Sequence, residues 1–468
     1  MAKIVIDPVT RVSGFLEIEV EVEDNKVIDA KCSGMQFRGF EKMLQGRFPL
    51  DAIRLTSRVC GICSTHHTLA STLALEQALN IVPDENGRII REITNGFEFL
   101  QNHLRHFYQF SIPDYVDLPN INPIYKDYKS DFRLPKNIND KISKDYEKSL
   151  FQSSNAHRAL AVLGGKVPHN HGIFVDGTTT DMNIKKFQEV KSLLSEIKEF
   201  ISNNLIEDVY NISNYYSDYF KNGIGYGNLM DYGLFDNYKD SSMRYSDSAI
   251  LIDNVKSKVD ISKITDCVTH AWFNANNEVL NPTDQPPSPN PYKDNAYSWV
   301  TAPRYDGKPI EVGPLARMIL SGNYNNRIST MDRIVARALE VKKICEILEQ
   351  LLTIVKLGKA KQEQYEMPDK AEGVGLTGAS RGALGHWISI ENKVIKNYTM
   401  ITPSAWNLSP MDGNGVKGVL EKSLIGIDIQ DVKNPVEIGR IARSFDPCLT
   451  CAAHITSDKH SPFTIKIV

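Results

Sequence analysis

Two short segments at opposite ends of the chain carry residues suited to metal chemistry: residues 58–67 read R-V-C-G-I-C-S-T-H-H and residues 446–454 read D-P-C-L-T-C-A-A-H. Each is a C-x-x-C pair followed closely by histidine, so Cys60, Cys63, Cys448 and Cys451 can offer four thiolates. A C-x-x-C loop lets two thiolates converge on one cation, and four make a soft site suited to zinc, iron or nickel rather than magnesium or calcium. Spacing alone leaves a zinc ribbon or knuckle open, but structural zinc motifs usually fold locally, and 385 residues separate Cys63 from Cys448. Neither pair heads the strand-to-helix turn that a thioredoxin-like redox motif needs. Cys32, Cys267 and Cys345 stand alone, and seven cysteines so unevenly placed do not make a disulfide scaffold.

The elements that must position these cysteines begin with β structure. Apolar and polar residues alternate in KIVID and in FLEIEVEVEDNKVIDAKC, with Asp24-Asn25 as the turn, which predicts an antiparallel hairpin over residues 3–31. From Asp51 the period lengthens: Leu69, Leu73, Leu75 and Leu79 mark one amphipathic helix, and residues 89–110 another. Residues 184–222 and 328–361 keep helical periodicity beyond an average helix length, which predicts long packed helices. Residues 112–140 and 281–314 are rich in Pro, Asn, Asp and Tyr without a period and read as long surface excursions. HWISIENKVIKNYTMIT, from His386 to Thr402, reads as a short strand pair. The expected fold is mainly α with a small N-terminal antiparallel β region, an α+β chain. No repeat or Gly/Ser linker divides it, so one compact unit over 1–468 is expected, with a β-rich part at 1–50, a helical body at 51–380 and a metal-binding part at 381–454.

Net charge is −3, without long runs of either sign, which argues against nucleic acid as a partner. No apolar run approaches the roughly 18–20 residues of a membrane helix. The opening MAKIVIDPVTR enters a strand pattern at once instead of a charged, apolar and small-residue leader. Synthesis in the cytoplasm is expected, with a final location there, at a membrane or in export set by a partner.

The flanks of the two cysteine pairs are specific. RVCGICSTHH resembles the first cysteine motif of nickel-iron hydrogenase large subunits and RSFDPCLTCAAH the second. DPVTR at 7–11, FRGFE at 37–41, GGKVPH at 164–169, YSWVTAPRYDGKPIEVGPLAR at 297–317, SRGALGHW at 380–387 and ITPSAWNLSP at 401–410 resemble further segments of that family. The resemblance implies a large-subunit fold and reversible cleavage of hydrogen. It implies nickel held by Cys60, Cys63, Cys448 and Cys451, with Cys63 and Cys451 bridging to an iron that carries cyanide and carbonyl ligands. Arg381 and Ser404 then flank those ligands, Cys448 or Arg381 receives the proton, His67 hydrogen-bonds a bridging sulfur, and Asp446 supports the centre. An arginine with pKa above ~12 is a poor base, so the share of Arg381 is electrostatic. Glu41, His454 and the backbone carbonyl of Met400 match positions that hold magnesium in relatives, a sensible donor set for a hard cation.

An iron-sulfur cluster usually takes four clustered thiolates, which Cys32, Cys267 and Cys345 do not provide, so electrons must leave through another protein. The resemblance makes that protein an iron-sulfur small subunit, and it adds a maturation protease and nickel-insertion factors as partners. Two positions depart from the pattern. Ser13 in DPVTRVSGF stands where the family usually carries a proton-relaying glutamate, and Asn102 where relatives often carry aspartate. A serine hydroxyl passes a proton but cannot store one, so Ser13, aided by water or a neighbouring carboxylate, is the expected relay. The fourteen residues 455–468, ITSDKHSPFTIKIV, match an extension that family precursors lose after nickel loading. A hydrogen sensor of low turnover and a zinc-binding structural subunit are the alternative functions. A cofactor-free scaffold like the relative in respiratory complex I is disfavoured, because such relatives lack the cysteine pairs.

Overall fold

The computed structural model describes residues 2–119, 131–325 and 327–452. The N-terminal sheet is an antiparallel meander of β1 (Ala2–Ile6), β2 (Leu16–Glu23) and β3 (Lys26–Gly34). Asp24 and Asn25 take positive φ of 49° and 61°, the conformation a tight two-residue hairpin turn demands. Alternation in β2 buries Leu16, Ile18, Val20 and Val22 on one face. That face packs on Val419, Leu420, Leu424, Ile438 and Ile441 from near the other end of the chain. Burying these side chains together is what draws the two chain ends to one place.

The helices follow: α1 (Phe40–Leu44), α2 (Asp51–Thr56), α3 (Ser64–Leu79), α4 (Glu85–Arg105), α5 (Lys136–Gly164), α6 (Ile184–Phe200), α7 (Ile206–Tyr215), α8 (Pro314–Leu320) and α9 (Thr330–Ile354). The long ones start on side-chain caps. Asp84 accepts from the Gly87 amide (3.2 Å), Asn183 from Lys186 (3.0 Å) and Ser329 from Asp332 (3.1 Å). Helices α4, α5, α6, α7 and α9 share the largest apolar core. A three-stranded antiparallel sheet, Lys370–Ala379, Gly382–Glu391 and Val394–Ile401, lies against α3. Four short helices close the chain: α10 (Pro403–Asn407), α11 (Val419–Leu424), α12 (Val436–Ser444) and α13 (Leu449–Ala452).

The α+β class holds, but four expectations need correction. Helix α3 is buried around most of its circumference rather than amphipathic, because α2, α4 and the C-terminal sheet all pack on it. The excursion expected at 112–140 ends earlier: Ile112, Tyr115 and Val116 are core residues, and α5 has begun by Lys136. In 281–314 only the first half is exposed loop, whereas Ala302–Tyr305 and Glu311–Val312 are fully buried strands. The stretch 51–380 is not helical throughout: several short strands lie between residues 173 and 312, and Lys370–Ala379 adds a third strand to the pair expected at 386–402. No helix among the described residues is long and apolar enough to cross a membrane.

Candidate metal centre

The first cysteine pair sits where a 3-10 turn, Ser57–Val59, gives way to α3. Cys60 is extended, and the amides of Ile62 and Cys63 donate to its Sγ at 3.3 and 3.2 Å. Cys63 is the N-cap residue of the 16-residue α3, where the helix field favours an anion. In both, backbone dipoles point toward the sulfur. The second pair follows α12 through a turn at Asp446, whose φ is 56°. Ser13 pairs with Cys448 in a short parallel bridge: the Ser13 amide donates to Pro447 O (3.1 Å) and the Leu449 amide to Ser13 O (2.7 Å).

The consequence is that Cys60 Sγ and Cys448 Sγ lie 3.5 Å apart, and with Cys63 Sγ all three fall within 4.8 Å of one another, fully buried. Among the described residues this is the one cluster of three or more His, Cys, Asp or Glu side chains placed to hold a metal. Cys451 belongs to α13, three positions beyond Cys448, but its side chain, His454 and the tail 455–468 lie outside the described residues. Arg38 ties the two motifs together, donating to the carbonyls of Arg58 (3.2 Å), Val59 and Thr450. Sequence reasoning missed Arg38, although FRGFE held it in view.

A small cavity adjoins the sulfurs, walled by Cys63, Cys448, His67, Arg381, Pro403 and Ser404 among others. Arg381 is buried and anchored by Asp446, its Nε donating to the backbone oxygen (2.9 Å) and Nη2 to Oδ1 (3.0 Å). Asn102, its amide turned to suit its neighbours, donates to Asp446 Oδ2 (3.1 Å) and accepts from Arg381 Nη1 (3.0 Å). Burial pushes the Asp446 carboxyl up, but Arg381, His106 and Arg337 outweigh it and hold it below the usual carboxylate range. Desolvation works against the charge on Arg381, yet Asp446 and the three cysteine sulfurs more than restore it. The guanidinium is therefore a fixed positive group beside the cysteines.

Ser404 has a role beyond lining: its Oγ accepts from the Cys448 amide at 3.0 Å. Ser13 Oγ lies 3.1 Å from Thr450 Oγ1, which is 3.3 Å from Cys448 Sγ, so an unforeseen hydroxyl, Thr450, links Ser13 to the sulfur. His66, also unforeseen despite the His-His pair, accepts from the Ser380 amide on Nε2 (3.2 Å) and so donates from Nδ1 to Asn95 Oδ1 (2.7 Å), pinning the turn before Arg381. His67 is kept neutral at pH 7, burial lowering its pKa to about 4.

Glu41 lies apart from the sulfurs on a second, larger cavity. Its contact with Met400 runs through the amide, which donates to Glu41 Oε1 at 2.8 Å. Burial raises the Glu41 pKa to about 7 against that hydrogen bond, with Asp266 adding repulsion. Asp266 shares the cavity, is likewise raised by burial to about 7, and has one carboxylate oxygen buried without a partner. Two carboxyls in this state suit a hard divalent cation, and nothing in the sequence singled out Asp266.

The family model described as nickel-dependent hydrogenase matches residues 38–124, 120–327 and 322–454. Over 98% of its length the chain is 37% identical to the periplasmic NiFeSe hydrogenase large subunit of Desulfomicrobium baculatum, covering 96% of that protein. It is 30% identical to the quinone-reactive Ni/Fe-hydrogenase large chain of Wolinella succinogenes, with 98% and 96% of the two chains covered. The crystal structure of a reduced, active form of the Ni-Fe-Se hydrogenase from Desulfomicrobium baculatum superposes with a TM-score of 0.93 at 36% identity, over 97% of this chain and 100% of that one.

Proposed function

Because this chain belongs to the nickel-dependent hydrogenase family, we propose that it is the large subunit that converts dihydrogen reversibly into two protons and two electrons at a nickel-iron centre. The observation that carries this reading is the meeting of Cys60, Cys63 and Cys448 from opposite ends of the chain at one buried point. Cys451, three residues beyond Cys448, would complete the four thiolates that hold nickel, and Cys63 and Cys451 would also serve the iron. The donor set fits, since soft sulfur ligands suit nickel and iron, and the adjoining cavity offers one fixed donor, Arg381, for cyanide and carbonyl on the iron. When bound, the centre supplies the heterolytic cleavage of the H–H bond.

The protein's own groups hold and move what results. The Arg381 guanidinium stabilises negative charge beside the sulfurs without giving up its proton. Cys448 Sγ takes the proton, and the Thr450 and Ser13 hydroxyls pass it on. A Ser13→Ala variant is expected to slow hydrogen-deuterium exchange, and unchanged exchange would reject the relay. Electrons leave to an iron-sulfur small subunit through the loop of the first pair, where Gly61 is exposed above the buried cysteines. Glu41, Asp266, the Met400 backbone and His454 would hold magnesium or another divalent cation. Processing with nickel-insertion factors and a protease removes residues 455–468, so mass spectrometry of active enzyme is expected to find the chain ending at His454. The partner decides the final location.

The deciding experiment is metal analysis of the purified heterodimer with infrared spectroscopy. Nickel, with iron in excess because the small subunit brings clusters of its own, and cyanide and carbonyl bands are expected; zinc in place of nickel, without those bands, would overturn the reading. Turnover with an artificial electron acceptor separates a metabolic enzyme from a sensor.

A further inference from the structure

His67 lines the cavity beside Cys63 and Cys448, and a neutral imidazole there can either donate to a sulfur or merely accept. Which it does depends on where its single proton sits, and that is set by the hydrogen bond of the other ring nitrogen. His67 Nδ1 lies 3.1 Å from His386 Nε2, and His386 Nδ1 lies 2.8 Å from the Tyr398 hydroxyl. All three side chains are buried. They come from packed elements: His67 from α3, His386 and Tyr398 from adjacent strands. His386 is registered opposite Met400 and Ile388 opposite Tyr398, so the two side chains are diagonal neighbours on one face of the sheet.

The order of donors in this chain follows from its far end. The Tyr398 hydrogen needs an acceptor, and His386 Nδ1 is the one with good hydrogen-bond geometry among the described residues. The Ser71 hydroxyl, one turn along α3 from His67, lies beside the phenol outside ordinary hydrogen-bond geometry, and it acts on the phenol as a donor, opposing the rise in pKa that burial imposes, so it does not take the Tyr398 hydrogen. The Tyr398 hydroxyl therefore donates to His386 Nδ1. His386, neutral because burial disfavours its charged form, must carry its proton on Nε2 and donate it to His67 Nδ1. That leaves the His67 proton on Nε2, the nitrogen free to serve the cavity. We propose that Tyr398 and His386 are positioning residues that fix His67 as its Nε2–H tautomer, making it a hydrogen-bond donor toward the cysteine thiolates. The inference rests on the nickel-iron reading of the site. It adds that a phenol two side chains away from His67 tunes how strongly those thiolates donate to the metals.

A thiolate that accepts a hydrogen bond gives less electron density to its metal, so losing the bond enriches the iron and weakens the C–O bond of its carbonyl. The test is infrared spectroscopy of the heterodimer as wild type and as the Tyr398→Phe, His386→Leu, His386→Gln and Ser71→Ala variants. Tyr398→Phe and His386→Leu are expected to move the carbonyl band to lower wavenumber and to lower hydrogen oxidation roughly 10-fold, the lower end of outer-shell effects at metal sites. His386→Gln, whose amide can still donate to His67 Nδ1, is expected to stay near the wild-type band, and Ser71→Ala to coincide with it. A Tyr398→Phe band at the wild-type position would overturn the proposal. So would a Ser71→Ala band shifted like that of His386→Leu, because it would reverse the order of donors. If Tyr398→Phe protein cannot be loaded with metal, His386→Gln against His386→Leu decides alone, and equal bands in those two reject the inference. Absence of any carbonyl band in wild type would instead refute the metal reading itself.

Discussion

The packing of α3 on the C-terminal sheet makes Gly375 a sharp test of how the fold holds the site. A methyl group there would lie 1.9 Å from the Ala70 carbonyl oxygen and 2.5 Å from the Ala74 amide nitrogen, both backbone atoms of α3. Restoring ordinary contact at 3.4 Å from 1.9 Å means parting strand and helix by about 1.5 Å, and no flexible side chain is there to yield. Overpacking costs about 1–3 kcal/mol, and a backbone clash belongs at the upper end. The displacement also reaches the chemistry. Cys63 caps α3 seven residues before Ala70, about 10 Å along the helix, and Gly375 pairs with His386 on the neighbouring strand. Gly375→Ala is therefore expected to lower the urea midpoint of unfolding and to cut nickel retained on purification, with residual turnover down about 100-fold, the effect of a ~1 Å misplacement. Glu372→Ala, an exposed change on the same strand, should stay within about 0.5 kcal/mol of wild type. A Gly375→Ala protein with wild-type midpoint and nickel content would refute the claim that this contact sets the position of α3.

Glu340 accepts from Arg317 Nε (2.7 Å) and the Tyr245 hydroxyl (2.7 Å), and lies 2.8 Å from His103 Nε2. Glu340→Gln is expected to cost about 3 kcal/mol at pH 7, the low end for a broken buried pair, because Asp231 still faces Arg317. Burial alone would raise the Glu340 carboxyl, but Arg317 and His103 hold it well below the usual range. Its stabilisation is thus complete above the ordinary glutamate pKa of ~4.3 and fades as pH falls toward the depressed one, so the deficit, read by denaturant unfolding, should narrow below about pH 4. Arg381→Lys replaces a planar fork by a point charge that cannot keep both bonds to Asp446. Dye-linked hydrogen oxidation should fall about 100-fold while metal content stays unchanged.

How far the sequence discloses this arrangement depends on whether a feature is local. The Asp24-Asn25 hairpin is written within a few residues and read correctly. The convergence of the cysteine pairs could be inferred because two rare motifs with specific flanks stood at opposite ends. The strand Lys370–Ala379 escaped notice because its face toward α3 is built of Gly373 and Gly375, chosen for close backbone approach rather than for strand propensity. Helix α5 was hidden by its Ser, Asn and Lys content, which dilutes the apolar period. Arg38, Thr450 and Asp266 act through partners hundreds of residues away, and no spacing rule reaches that far.

The two departures from the family pattern bear on the same quantity, the charge around the sulfurs. Ser13 and Asn102 are neutral where the family commonly places carboxylates, so Asp446 is the one carboxylate in contact with Arg381 among the described residues. It is shared with Arg337 at 3.2 Å, so two guanidiniums face one carboxylate. Glu98 does not redress the balance: it accepts the Thr65 amide at 3.0 Å near the start of α3, and burial raises its pKa to about 7, leaving it only partly ionised at neutral pH. Glu340 also supports the charge on Arg337, and it shares Arg317 with Asp231, so the buried guanidiniums behind the site are matched by carboxylates, while Arg381 faces the cysteine sulfurs as well as Asp446. Cysteines bind metal as thiolates, and the Arg381 guanidinium fixed beside the sulfurs is the positive group that such ligands would meet.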